Sequence, residues 1–159
     1  MPINDTETNN PVIHADLILL NLSVSTSEEL IRIMARRLID QGLVKNEFID
    51  AIIKREQEYP TGLPVGNIAA AIPHTDASYV LKSAMVVSVL QTPISFANMA
   101  DPDEKLPVQI VFMLAMKEPA FQVTWLKKLM GFLNQPNLMQ KLLTIHDQQE
   151  MANFLNNCL

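Results

Sequence analysis

This sequence predicts a three-layer α/β sandwich, a mixed β-sheet flanked by helices on both faces, and three observations predict it. Two continuous apolar runs, Ala84 to Leu90 and Gln109 to Ala115, suit central strands covered on two faces. Segments before and after them carry apolar residues at helical period, with polar residues opposite. Strands interleaved with helices in this order close a core as stacked layers.

A polar leader, residues 1–10, precedes a single domain expected over 11–159. The run Ala15 to Val24 alternates and reads as a strand. Thr26 and Glu29 have capping-box spacing, and Leu30, Ile31, Met34 and Leu38 form the stripe of a first helix that Gln41-Gly42 ends. A second helix follows from Lys45 to about Glu58, with Phe48, Ile49, Ile52 and Ile53 on one side. Gly62 to Asn67, with two glycines and a proline, reads as a loop into a short buried strand, Ile68 to Ile72. Ala77 to Ser83 has the signals of a short helix, with Thr75 and Asp76 as N-cap candidates. Gln91 to Pro107, with three prolines, reads as a polar connection between the two central strands. Three helices complete the chain: one with Phe121, Trp125, Leu129, Phe132 and Leu133 on a shared face, one opened by Pro136, and one opened by Asp147. No internal repeat is present.

At 159 residues, with 48% hydrophobic and 18% charged residues, the chain has the composition of one globular domain. A net charge of −5 without a basic run argues against nucleic acid or an anionic membrane as the main partner. The lone Cys158 excludes an intrachain disulfide or a thiolate metal site and fits a reducing, cytoplasmic setting. Met1 to Asn10 lacks the basic and apolar parts of a secretory signal, and no apolar run approaches the roughly 20 residues that span a bilayer.

The chemistry concentrates at Ala69-Ala70-Ala71-Ile72-Pro73-His74-Thr75-Asp76, where an apolar strand stops at a proline and presents one histidine. Proline fixes its own φ and pushes Ile72 toward extended geometry, so His74 leaves the strand end on a stiff backbone. Ligands of open α/β sheets favour the carboxyl ends of strands, and amides at a strand-to-helix junction favour an anion such as a phosphoryl group. Arg55, near the end of the helix that leads to this strand, either reaches the same crevice or pairs on the surface with Glu56 or Glu58. A guanidinium there would neutralise a phosphoryl group and hold its oxygens in a fixed fork. Asp76 either orients the ring or caps the next helix, the cap being the commoner arrangement.

The remaining candidates read as structural. His14 lies on the polar leader side of the first strand and His146 in an inter-helix turn beside Asp147. The three histidines are separated by about sixty or more residues, so a metal site would need tertiary convergence with carboxylates, and none is expected. Trp125 and the nine methionines fill core. The chain has no Gly-rich phosphate loop, His-Glu-x-x-His or paired-cysteine motif.

The run Lys54-Arg55-Glu56-Gln57-Glu58-Tyr59-Pro60-Thr61-Gly62, followed by Ile68 to His74, resembles enzyme IIA of the mannitol and fructose superfamily, phosphocarriers of the sugar phosphotransferase system. The resemblance covers essentially the whole chain after the leader. It implies a mixed sheet flanked by helices, with one histidine that takes phosphoryl from the phosphocarrier HPr and passes it to a IIB component. Carried over by position, His74 is the acceptor and donor, Arg55 approaches the phosphohistidine, and no cofactor is needed. Where mannitol-type members have a second histidine, Ala120 stands here, which favours the galactitol-type branch; the Glu-x-Glu-aromatic-Pro-Thr-Gly run points the same way. The membrane IIC subunit would bind the sugar, a partner this chain meets only indirectly.

Transfer between histidines passes through a loose transition state, so the protein supplies position and charge. His74 attacks in its neutral form, either ring nitrogen being open to that role, while Arg55 stabilises phosphoryl charge and Thr75 is a candidate phosphoryl-binding hydroxyl. An apolar rim of Leu63, Pro64, Val65 and Tyr79 would receive both partners in turn. A regulatory phosphohistidine domain that controls a partner protein is the alternative to transport, and a hydrolase or metal enzyme built on His74 is a third.

Overall fold

The computed structural model describes residues 13–159, and the polar leader lies outside the described residues. Five strands form one sheet: β1 (Ile18–Leu22), β2 (Gly62–Val65), β3 (Ile68–Ala71), β4 (Ala84–Ala97) and β5 (Lys105–Ala115), in the order β1-β4-β5-β3-β2. The sheet is mixed, with β1 parallel to β4, β5 parallel to β3, and the other two pairings antiparallel. Helices α1 (Ser27–Asp40) and α2 (Phe48–Glu58) cover one face; α3 (Pro119–Leu133), α4 (Pro136–Leu143) and α5 (Gln148–Cys158) cover the other.

The layers follow from the period of the strand. On β4, Val86 faces α1 and α2 while Met85 and Val87 face the C-terminal helices. On β5, Val111 and Met113 take the first side and Ile110, Phe112 and Leu114 the second. Both sets are buried, which is why these runs lack polar alternation. Phe112 meets Phe132 of α3 edge to face, with centroids 6.1 Å apart.

The helix stripes fall where their periods place them: Leu30, Ile31, Met34 and Leu38 on α1, and Phe48, Ile49, Ile52 and Ile53 on α2, are all buried. Thr26 Oγ1 accepts the Glu29 amide at 3.1 Å, and Glu29 Oε2 accepts the Ser25 amide at 3.0 Å. Asp147 caps α5 through the Glu150 amide at 2.8 Å.

Several expectations are corrected. The first strand begins with a 3-10 turn, Ala15–Leu17, and α2 starts at Phe48 rather than Lys45. The segment read as a loop from Gly62 is strand β2, hairpinned on β3 around Gly66, whose φ is +61°. Pro64 is tolerated because β2 is an edge strand. The connection read over Gln91 to Pro107 is mostly sheet: β4 runs on to Ala97 and β5 begins at Lys105, with a register shift between Val89 and Ile94 that absorbs Pro93. Phe121 is 39% exposed instead of sharing the buried face of Trp125. The short helix expected from Ala77 to Ser83 is a single 3-10 turn, Ala77–Tyr79.

Candidate functional site

Strands β3 and β5 run parallel, so their carboxyl ends lie side by side where β4 begins. Past β3 the chain continues along β5: Pro73 O accepts the Leu114 amide at 3.0 Å, and His74 bridges to Leu114. His74 therefore stands at the carboxyl edge of the sheet on backbone tied to a central strand. Its ring is partly exposed.

The ring is oriented by its own chain. Nδ1 lies 2.7 Å from Ile72 O, and a carbonyl only accepts, so Nδ1 carries the proton. Nε2 is left with a free lone pair. Burial pushes the ring's pKa below its ordinary value of 6.5; the bond to Ile72 opposes this, and the charge of Arg55 adds to it. Neutral imidazole with Nε2 available is thus the resting state.

Arg55 lies exposed in the last turn of α2, close enough for its charge to act on His74. Its guanidinium carbon sits 4.5 Å from the centroid of the Tyr59 ring. The ion pairs among the described residues are Arg32 with Glu28 and Lys54 with Glu58, so the surface pairing considered for Arg55 does not form.

Thr75 follows His74 and is buried. Asp76 caps the 3-10 turn, its Oδ1 accepting the Ser78 amide at 3.0 Å, so it does not orient the ring. A turn this short lacks the row of free amides that a helix would have given an anion. The expected rim also changes: Val65 pairs with Ile68, so Leu63, Pro64 and Val65 run down β2 away from His74, and Val65 is buried. Of the residues just before β2, Thr61 reaches the strand that leads to His74, where its Oγ1 accepts the Ile72 amide.

Two site residues escaped the sequence analysis. Glu56 accepts the Thr61 amide at Oε2 (2.8 Å) and the Thr61 hydroxyl at Oε1 (2.7 Å), and Thr61 Oγ1 accepts the Ile72 amide at 3.1 Å. Burial raises the Glu56 pKa from 4.5 to about 7 against the lowering effect of these two bonds. Glu56 also borders a cavity of about 350 Å³ lined by Ile31, Ile53, Phe96 and Lys105. The available signal was a glutamate beside Arg55 and a threonine at the turn, but their contact requires the turn's geometry.

His14 and His146 are exposed, Trp125 packs in the core, and Cys158 is an exposed free thiol. Among the described residues no group of three or more His, Cys, Asp or Glu could hold a metal ion. No helix among them is long and apolar enough to cross a membrane.

A mixed five-stranded sheet with helices on both faces defines an α/β domain of three layers, which presents His74 at the carboxyl end of a strand. The chain belongs to the family described as phosphoenolpyruvate-dependent sugar phosphotransferase system, EIIA 2, whose model matches residues 11–158. It is therefore a phosphotransferase component of that system. Over 128 residues it is 30% identical to the galactitol-specific EIIA component of Escherichia coli K12, a match covering 80% of this chain and 85% of that one. Over 130 residues it is 31% identical to the transcriptional regulator ManR of Bacillus subtilis, covering 79% of this chain and 18% of the regulator. Its fold matches the complex of enzyme IIAMTL and phosphorylated enzyme IIBMTL from Escherichia coli with a TM-score of 0.73 at 23% identity, covering 91% of this chain and 97% of that one.

Proposed function

We propose that this chain is a cytoplasmic phosphocarrier that takes a phosphoryl group from HPr onto His74 Nε2 and gives it to a IIB component serving uptake of galactitol or a related polyol. The observation that carries this reading is the 2.7 Å bond between His74 Nδ1 and Ile72 O, which leaves Nε2 as the nucleophile. The Nε2 lone pair attacks phosphorus as the bond to the donor imidazole breaks, and the leaving ring keeps that electron pair. Nδ1–H stays on His74 throughout, so the phosphorylated ring carries positive charge that Ile72 O stabilises. A cationic ring is also a good leaving group for transfer onward.

Arg55 swings from Tyr59 onto the phosphoryl oxygens, and Thr75 is retained as a candidate donor beside them. The galactitol assignment rests on the relative of that name and on Ala120 in place of a second histidine. The IIB partner is supported by the fold shared with a IIA that forms such a complex. Because transfer needs close approach to both partners, the docking surface surrounds the exposed edge of His74.

Intact-mass analysis after incubation with phosphoenolpyruvate, enzyme I and HPr tests the reading. One acid-labile phosphoryl group on the native chain and none on folded His74→Ala is the expected result. An unmodified native chain would refute it.

A regulatory role is the second reading, favoured by the match to part of a transcriptional regulator. Phosphoryl transfer onward to a IIB component separates transport from sensing, because a sensor keeps its phosphoryl group in the presence of IIB.

A further inference from the structure

We infer that Glu56 and Thr61 are positioning residues for His74, acting through a hydrogen-bonded path that fixes the carbonyl on which the imidazole is oriented. The inference deepens the phosphocarrier reading and rests on it for its kinetic consequence. The path has three links: Glu56 Oε1 to Thr61 Oγ1 at 2.7 Å, Thr61 Oγ1 to Ile72 N at 3.1 Å, and Ile72 O to His74 Nδ1 at 2.7 Å.

The polarity of each bond follows from the inventory of donors. Thr61 has one hydroxyl proton, and Glu56 takes it, so the oxygen faces Ile72 with a lone pair, as the amide requires. Glu56 also accepts the Thr61 backbone amide at 2.8 Å, so both donors of Thr61 end on one carboxyl and its rotamer is fixed. Thr61 is 3% exposed and Ile72 1%, so no solvent would replace these bonds at full strength.

The position in the fold gives the path its purpose. The β2–β3 ladder ends at Gly62 and Ala71, one residue short of Thr61 on one strand and of Ile72 on the other. Thr61 supplies by side chain the partner that the next ladder step would have given. Pro73 then removes a donor and fixes φ, so Ile72 is pinned at its amide by Thr61 and followed by a rigid residue. Its carbonyl has little freedom, and it selects the Nδ1–H tautomer. Arg55 precedes Glu56 on the same helical turn, so one turn of α2 sets both the charge beside the ring and the ring's orientation.

The test uses Thr61→Val, Thr61→Ser and Glu56→Gln in the full chain, each checked for folding by circular dichroism. Two readouts are taken: ring-nitrogen ¹⁵N shifts of His74, which report the tautomer, and the initial rate of phosphoryl acceptance from phosphorylated HPr. Thr61→Val is expected to raise the population of the Nε2–H tautomer and slow acceptance roughly tenfold, with Thr61→Ser restoring both. Glu56→Gln should shift both readouts in the same direction, and it decides the matter if Thr61→Val does not fold. An unchanged tautomer in folded variants overturns the proposal whatever the rate does. If the native chain accepts no phosphoryl at all, the phosphocarrier reading fails while the tautomer measurement still decides the positioning role.

Discussion

The guanidinium of Arg55 rests over the ring of Tyr59, 4.5 Å from its centroid, instead of against a carboxylate. A cation–π contact at an exposed site is worth only about 0.5–1 kcal/mol, so it holds the side chain without committing it. A dianionic phosphoryl group placed on His74 would outcompete that contact, because a guanidinium can bind phosphoryl oxygens by two charge-assisted bonds.

Arg55→Ala is therefore expected to slow phosphoryl acceptance by about 10- to 100-fold while leaving His74 able to accept. Arg55→Lys should recover part of the loss, since it keeps charge without the fork. Rapid-quench kinetics with phosphorylated HPr measures both, and a full-rate Arg55→Ala would remove Arg55 from the site.

The pH profile of acceptance should follow the neutral ring. With the His74 pKa lowered by burial, acceptance stays high as pH falls through 6.5 and declines only below it. Removing the charge in Arg55→Ala moves the inflection upward, toward 6.5. An NMR titration of His74 in both proteins gives the two pKa values directly.

Glu56 makes stability depend on pH in the direction opposite to an ion-paired carboxylate. Its folded pKa of about 7 exceeds 4.5, so the folded state binds the extra proton between these values. Stability is thus lost as pH rises from about 4.5 to about 7 and is flat above, by up to about 3 kcal/mol. His74 tilts the other way, since its lowered pKa takes stability away as pH falls below 6.5. Urea midpoints of native and Glu56→Gln proteins across pH 4.5 to 8 isolate the first effect, because the variant lacks it. Parallel curves would show that Glu56 does not titrate in this range.

Gly62 permits a close crossing at the start of β2. A Cβ there would stand 2.5 Å from Ala97 O, and Gly62 O accepts the Met99 amide at 2.8 Å. Gly62→Ala is expected to destabilise the fold by about 1–3 kcal/mol and to disturb the adjacent Thr61. The denaturation midpoint and the acceptance rate should both fall, whereas Gly131→Ala, in helix α3 with open space around it, should leave the rate unchanged and raise stability by about 0.5–1 kcal/mol.

Local patterns made most of the architecture legible. The buried stripes of α1 and α2, the two-sided burial of Val86, Val87, Val111 and Phe112, and the proline before His74 are all set by neighbours in sequence. Gln91 to Pro107 reads as a connection because its three prolines and polar residues suggest a loop, while pairing of Ile94 to Ala97 with β5 and a register shift make most of it sheet. Gly62 to Asn67 reads as a loop for a similar reason, yet its first four residues form β2, because an edge strand tolerates Pro64 that a central one would reject.

By itself the sequence determined the layers, the position of one histidine at a strand end, and an arginine on the helix that precedes it. These depend on period, capping and proline geometry, all of which act over a few residues. Tertiary structure alone decided the tautomer of His74, the resting place of Arg55, and the union of Glu56, Thr61 and Ile72. Those depend on whether donors and acceptors from separate elements meet within about 3 Å, and no local propensity fixes a distance between elements.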